Sequence, residues 1–588
     1  MNPAVPEEPA GEEVVPVRQV VLDASLPQAD EPSKVTVATT GKLAWSEGDA
    51  FAIYDTDGNK VKMLLSLGAG TAKGVFAGKI LSGKDVDLTK AAVFPYDYAG
   101  DTPGQVVIPP YIPWTENASA PVVMAAELTG KDNDGVTHIT MGTFRHLMAV
   151  IEFTLQDLPA FARGFKLWSA TGAQLSGTYG IKATLDGLTW PDPSERTNTQ
   201  QTICFPYKSA YGASATIKVS VSIPAYAFTD LAIRVIDGDE AVIEGSGQLM
   251  PSRYQQLEVG DYVSMPTLNI RSKMGSSRSD YVKVEGIKWA KGNLRAWADG
   301  TTGSGWQSGW NVYDNQWESQ YALKNDSVSG SSTDFTMNDA LYKVDGNYVH
   351  WDYFSWATLG RASRVHNQQV TSSEADFNIC AKIFSASAGG GDISQMTEVT
   401  DQSDGIRFAP NGFGDENPSL YGDVAFWASK GQWRLPSQTE IRRLYAKIDA
   451  GTEHSAHMQA GYYMAGSKKI NGILFTACPS WEYTTYNKTA VELTDADLES
   501  GLFLPKVGER TTNTTPSTYN SANIRYFNAW GVYWCGTYGS RNSGYEDCVR
   551  HINFVTSNEM TYGYTSQLSN TITGQSLLGN AIRPVKVE

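Results

Sequence analysis

At 588 residues the chain is too long for one hydrophobic core, and ordinary domain sizes point to roughly three to five domains. Hydrophobic residues at 41% and charged residues at 19% fit folded domains whose polar surface relies on Ser, Thr, Asn, Gln and Gly, which excludes general disorder. A net charge of −16 with no stripe of Lys and Arg excludes nucleic acid and disfavours an anionic membrane surface.

Residues 1–31 form an acidic arm with seven acidic residues, one basic residue (Arg18) and four prolines before Leu22. Met1 followed by Asn2-Pro3 reads as the mature part of an exported protein placed behind a start codon, with a signal, lipoprotein or otherwise, removed. Export is therefore expected. Within the arm, Val14-Val15 and Val20-Val21-Leu22 are apolar enough to make one edge strand.

From Lys34 to Met265 strand follows strand without a 3.6-residue period. Residues 32–157 and 158–270 are expected to form two β-sandwiches. Ile217, Val219, Val221 and Ile223 alternate with Lys218, Ser220 and Ser222, which predicts one buried and one wet face. Leu147 to Leu155 is almost continuously apolar, as in a strand covered on both sides. Asp57-Gly58, Asp134-Gly135 and Asp237-Gly238 lie between such runs and suit hairpin turns.

Twelve of the sixteen tryptophans and four of the five cysteines lie beyond Arg271. That shift marks a boundary, with 271–280 as an exposed linker and 281–588 as a C-terminal domain expected to fold independently. Two helices are predicted there, over 423–430 and 437–450. Ser437 with Glu440 three residues later spells a capping box, and Ile441, Leu444, Tyr445 and Ile448 fall on one face.

No nucleophile, zinc-hydrolase or nucleotide motif occurs, so no catalytic residue, cofactor or metal is assigned. His454 and His457 have a ligand-like separation but follow Gly451 in what reads as a loop. Trp530, Tyr533, Trp534, Tyr538, Arg541 and Tyr545 crowd one Gly-rich stretch, and flat rings with polar neighbours suit a sugar or a protein surface. Trp530, Trp534, Tyr538, Arg541 and Tyr545 are the candidate ligand contacts. The competing reading puts Tyr533 and Trp534 in the core and leaves binding to the loop over 536–547. Cys535 and Cys548 flank that loop and could close it as a disulfide.

Two resemblances organise these features. Leu43-Ala44-Trp45-Ser46-Glu47-Gly48-Asp49 leading into Phe51-Ala52-Ile53-Tyr54, Phe144 to Ile151, and Ser222-Ile223-Pro224-Ala225 resemble the fimbrillin-like pilins of Bacteroidetes-type fimbriae. Gly286 to Leu294, Gly431 to Ser437, Gly501 to Pro505, Gly531 to Trp534 and Ala581 to Val585 resemble a lectin-like domain of Bacteroidetes and Fibrobacter surface proteins, related to formylglycine-generating enzymes and C-type lectins. The fold implied is mainly β: two tandem transthyretin-like β-sandwiches, then an α+β lectin-like domain.

The first resemblance implies donor-strand exchange with a stalk pilin, after a protease removes a first strand at Arg18 or, failing that, Lys34. With Ala581 to Glu588 expected inside the C-terminal domain's own sheet, no strand remains to donate. The chain is expected to be a non-enzymatic adhesin at a fimbrium tip, a monomer when isolated, binding a host or bacterial glycan or protein. The alternatives are a free-standing surface glycan-binding protein and an enzyme of the formylglycine-generating fold.

Overall fold

The computed structural model describes residues 17–27, 44–114, 122–134, 136–169, 173–189, 200–205, 216–228, 230–251, 255–271, 280–299, 308–319, 431–444, 455–511, 528–541, 545–555 and 579–588, with the shorter pieces 335–336, 343–344, 348–352, 354–355, 425–426, 429, 523–525, 557–558 and 560–565. It is mainly β. The linker residues 272–279, the helix predicted over 423–430 apart from its few described residues, and Lys34 and His454 lie outside the described residues.

The largest sheet has nine strands in the order Arg145–His146, Met124–Ala126, Ala92–Phe94, Ala50–Tyr54, Lys60–Leu67, Lys73–Leu81, β1 (Val17–Ser25), Val136–Met141 and Leu128–Asp134. Trp45 and Ala50–Tyr54 of the 43–54 motif supply its core. Trp45 is 1% exposed and packs edge-on against Phe76, Phe94 and Phe144, while every residue of Ala50–Tyr54 is buried. At Asp57-Gly58 the predicted turn forms: the Asp55 carboxylate accepts the Asp57 and Asn59 amides, and Gly58 takes φ 85°.

A second core lies between two further sheets. In one, Ala149–Gln156 pairs antiparallel with Thr216–Ile223 and parallel with Tyr262–Ser264 and Leu268–Asn269, a central strand buried on both faces at Ala149–Ile151 and on one face beyond, where Glu152 and Thr154 are half-buried. In the other, Ala162–Trp168 is flanked by Ala232–Asp237 and Gln200–Cys204. Ile151, Phe153 and Leu155 meet Phe165, Leu167, Ile233 and Val235 in one buried cluster. The strand Tyr111–Pro113, drawn from the first half, runs parallel to Gln200–Cys204 and ties the two cores together.

The motifs 286–294, 431–437, 501–505, 531–534 and 581–585 converge on a third core. Trp289, Leu502, Leu504, Tyr533 and Val585 pack with Ile441, Leu444, Phe475, Ile552 and Phe554. Val585–Lys586 lies between Ile287–Ala290 and Trp433–Arg434, as the sequence predicts. Buried Arg583 joins the pieces: it donates to the Asn293 side chain at 2.8 Å and to the Lys291 and Gln316 carbonyls at 2.9 and 3.0 Å.

The helix Gln438–Leu444 is capped as expected, with the Ser437 amide donating to Glu440 at 2.7 Å and the Glu440 amide donating to Ser437 Oγ at 3.2 Å. Arg434 adds a two-pronged contact to Glu440 at 2.6 and 2.8 Å. A further helix, Asp495–Ser500, was not among the predicted ones, although Thr494 and Asp497 form the same kind of capping box.

Candidate strand-exchange and ligand sites

The N-terminal arm supplies β1, and its position decides what it can do. The strand runs antiparallel to Lys73–Leu81 over its whole length, Val17 opposite Leu81 to Ser25 opposite Lys73. Its other edge runs parallel to Val136–Met141, with Val20 opposite Thr137 and Leu22 opposite Ile139. Among the described neighbours of β1 in this sheet, that is the one parallel ladder; the rest of the sheet is antiparallel. Val20, Leu22 and Ala24 alternate into the core at 0, 1 and 1% exposure, and Leu26 follows. Thus β1 is an inner strand, paired along its whole length on one side and over Val20–Leu22 on the other, where the sequence suggested an edge strand.

Arg18 lies inside that ladder opposite Ile80, and its guanidinium donates to Asp85 at 3.1 Å and to the Lys84 carbonyl at 3.0 Å. The hydrogen bond from Lys131, the strongest influence, and that from Arg18 hold the Asp85 carboxyl below its usual range against the opposing effect of burial. A protease reaches the Arg18 peptide only once β1 unzips, because cleavage requires an extended, unpaired backbone. A cut there also leaves residues 19–25 in the sheet.

The aromatic stretch near residue 530 folds differently from the expected loop. Gly531–Arg541 and Tyr545–Phe554 are paired strands, with Tyr538 opposite Val549 and Arg541 opposite Tyr545. The Gly-rich spacing conceals a hairpin whose alternation of aromatic and small residues suits a strand. Trp534 is 0% exposed and donates its amide to the Ala581 carbonyl at 3.0 Å, so this candidate ligand contact is a core residue. Tyr533 is also buried, stacks on Phe554 and donates its hydroxyl to the Pro505 carbonyl at 2.7 Å. Trp530 stays half-buried beside the strand, its carbonyl accepting the Gly508 amide. Cys535 is buried, and Cys548 stands opposite Gly539 in the ladder rather than opposite Cys535.

His457 begins the strand His457–Ala465 instead of sitting in a loop. Its Nε2 meets Glu482 at 2.8 Å and its Nδ1 meets the Thr485 hydroxyl at 3.0 Å, so both ring nitrogens are engaged by protein. Glu482 also receives Arg163 at 2.6 and 2.7 Å, from a strand of the second core. Burial would raise the Glu482 carboxyl, but the His457 bond and the Arg163 guanidinium more than offset it and hold the group below its usual range. Among the described residues no cluster of three or more His, Cys, Asp or Glu side chains is arranged to hold a metal.

A surface pair escaped the sequence reading. Trp317 and Tyr463 stack at 5.9 Å with planes 16° apart, both half-buried, and the Tyr463 hydroxyl donates to Asp495 at 2.6 Å. Gln316, buried beside Trp317, donates to the Gly501 carbonyl at 2.8 Å and accepts the Phe503 amide at 2.7 Å, anchoring the segment that carries Trp317. The two rings come from segments far apart in the chain, with no local pattern to announce them.

No protein-family model and no curated protein sequence matches the chain. Among solved structures it is similar to a candidate cell adhesion protein from Bacteroides fragilis, at 9% identity and TM-score 0.24 over 50% of this chain and 97% of the other. It is also similar to the C-terminally truncated tip fimbrial protein from Porphyromonas gingivalis, at 12% identity and TM-score 0.18 over 51% of this chain and 100% of the other. A fimbrial protein from Bacteroides ovatus matches over 97% of this chain and 98% of its own, at 8% identity and TM-score 0.21. Superpositions this loose do not establish a shared fold.

Proposed function

We propose that the chain is a cell-surface adhesin subunit of a fimbria, which exchanges β1 for a strand donated by a stalk pilin and presents its C-terminal part to a glycan or protein ligand. The placement of β1 carries this reading. Removing an inner strand bares the backbone groups of Lys73–Leu81 and Val136–Met141 together and opens the slots filled by Val20, Leu22 and Ala24. An incoming strand with apolar residues at alternate positions satisfies both needs at once. Val585–Lys586 is held between two strands of its own sheet, so that strand is not one the subunit gives away.

The test is a full chain with a specific protease site inserted after residue 27, cut and then offered a synthetic Val17–Leu26 peptide. Release of β1 by mild denaturant, followed by recapture of the labelled peptide at one per chain, supports the reading. A cut chain that keeps its stability after losing β1 and takes up no peptide rejects it.

A further inference from the structure

The second core and the C-terminal part meet across a contact crowded with carboxylates. From the second core come Asp237, Asp239 and Glu240, on the turn after Ala232–Asp237, together with Arg163 and Lys166. From the C-terminal part come Lys283 and Glu285 on the first hairpin, Arg443 on the helix, and His457, Cys478 and Glu482. Lys283 reaches both Asp237 at 3.3 Å and Asp239 at 3.2 Å. The Gly286 amide donates to Asp239 at 2.7 Å, and the Cys478 amide donates to Glu285 at 2.8 Å. Glu285 and Gly286 take φ 53° and 76°, the tight two-residue turn that brings both groups to the contact. The fit is close, since a Cβ on Gly238 would stand 2.6 Å from Ala477 Cβ.

Two carboxylates, Asp237 and Asp239, therefore share the Lys283 ammonium, while the Glu285 carboxylate accepts the Cys478 amide and Arg443 bonds at the Glu285 carbonyl at the edge. Arg163 does not relieve them, because Glu482 takes it. We propose that this contact is a proton-operated hinge: closing it takes up a proton on the Asp239–Glu285 carboxylates, and losing that proton lets the C-terminal part swing away from the second core.

Burial first, with the neighbouring Asp239 charge adding to it, pushes Glu285 up to about 7 despite the Cys478 amide. Burial and the Asp237 charge likewise raise Asp239, against Lys283. An opened Glu285 regains an ordinary carboxylate value. Between about pH 4.5 and 7 the closed form thus holds a proton that the open form lacks, so closure weakens as pH rises through that window. The expected change in the closing equilibrium is on the order of 100-fold, after allowing for partial exposure of Glu285.

Hydrogen exchange followed by mass spectrometry on the full chain tests this, with rates corrected for the intrinsic effect of pH. The peptides carrying the Gly286 and Cys478 amides should lose protection on the order of 10-fold between pH 5.5 and 8.5, the part of the change that lies above pH 5.5, while the strand Ala149–Gln156 keeps its own. Glu285→Gln should flatten that dependence, with Asp239→Asn as the second variant should the first fail to fold. Equal protection at both pH values, an unchanged dependence in the variants, or parallel loss in Ala149–Gln156 would each overturn the hinge.

Discussion

His146 is 5% exposed, and neither ring nitrogen has a hydrogen-bond partner among the described residues. Burial alone lowers its pKa to about 4. In the unfolded chain the group titrates near 6.5, so between those values the unfolded state binds a proton that the folded state refuses. Stability therefore rises with pH across that window, and about 3 kcal/mol is lost by its acid end. His146→Leu should narrow the gap between urea midpoints measured at pH 7.5 and 4.5; an unchanged gap would place the acid sensitivity elsewhere. Arg583 poses the opposite problem, a buried cation satisfied by oxygens from Lys291, Asn293 and Gln316. Burial lowers its pKa to about 10, still charged at neutral pH. Arg583→Lys keeps the charge but cannot span the same acceptors, and should cost about 3 kcal/mol in a denaturant titration of the full chain.

Elements whose logic is local were legible from sequence, and those set by distant partners were not. The Ser437–Glu440 box announced its helix because both partners of each capping bond lie within four residues. Thr494 and Asp497 carried the same signal for Asp495–Ser500, within a segment rich in acidic residues. Val20-Val21-Leu22 marked a strand, yet nothing near it states that Lys73–Leu81 and Val136–Met141 flank it. The aromatic hairpin was misread because its glycines resemble a loop while its pairing partner begins only at Tyr545. Of the candidate ligand residues, sequence alone left Trp534 open between core and surface, and full burial decides for the core. The helix offers a graded test. Ser437→Ala removes one cap and should cost about 1 kcal/mol. Glu440→Ala also strands the half-buried Arg434 and should cost about 2 to 4 kcal/mol, read as a larger shift of the thermal midpoint.

At the scale of the whole molecule the composition shift at Arg271 suggested two bodies on an exposed tether, each able to leave the other. The contact found between them is larger than a tether needs. Arg163 and Glu482, 319 residues apart, bond at 2.6 and 2.7 Å, and Arg163 also donates to the Ala477 carbonyl at 3.1 Å. Their side chains are 8 and 17% exposed, so separation must either resolvate both charges or leave one stranded. Tyr111 and Trp481 pack at 5.4 Å nearby, and the Ser480 amide donates to Glu240 at 2.9 Å. Whereas the tethered picture predicts release, this contact predicts that a chain cut by a specific protease within 272–279 still elutes as one species near pH 5.5. Glu482→Ala leaves Arg163 buried without its carboxylate and removes the Glu482 contact from His457 Nε2, a loss of about 3 to 5 kcal/mol. The cut variant should then separate into two folded fragments on size exclusion, each keeping its own cooperative melt. If the cut wild-type chain separates as readily as the cut variant, the Arg163–Glu482 pair does not hold the two parts together.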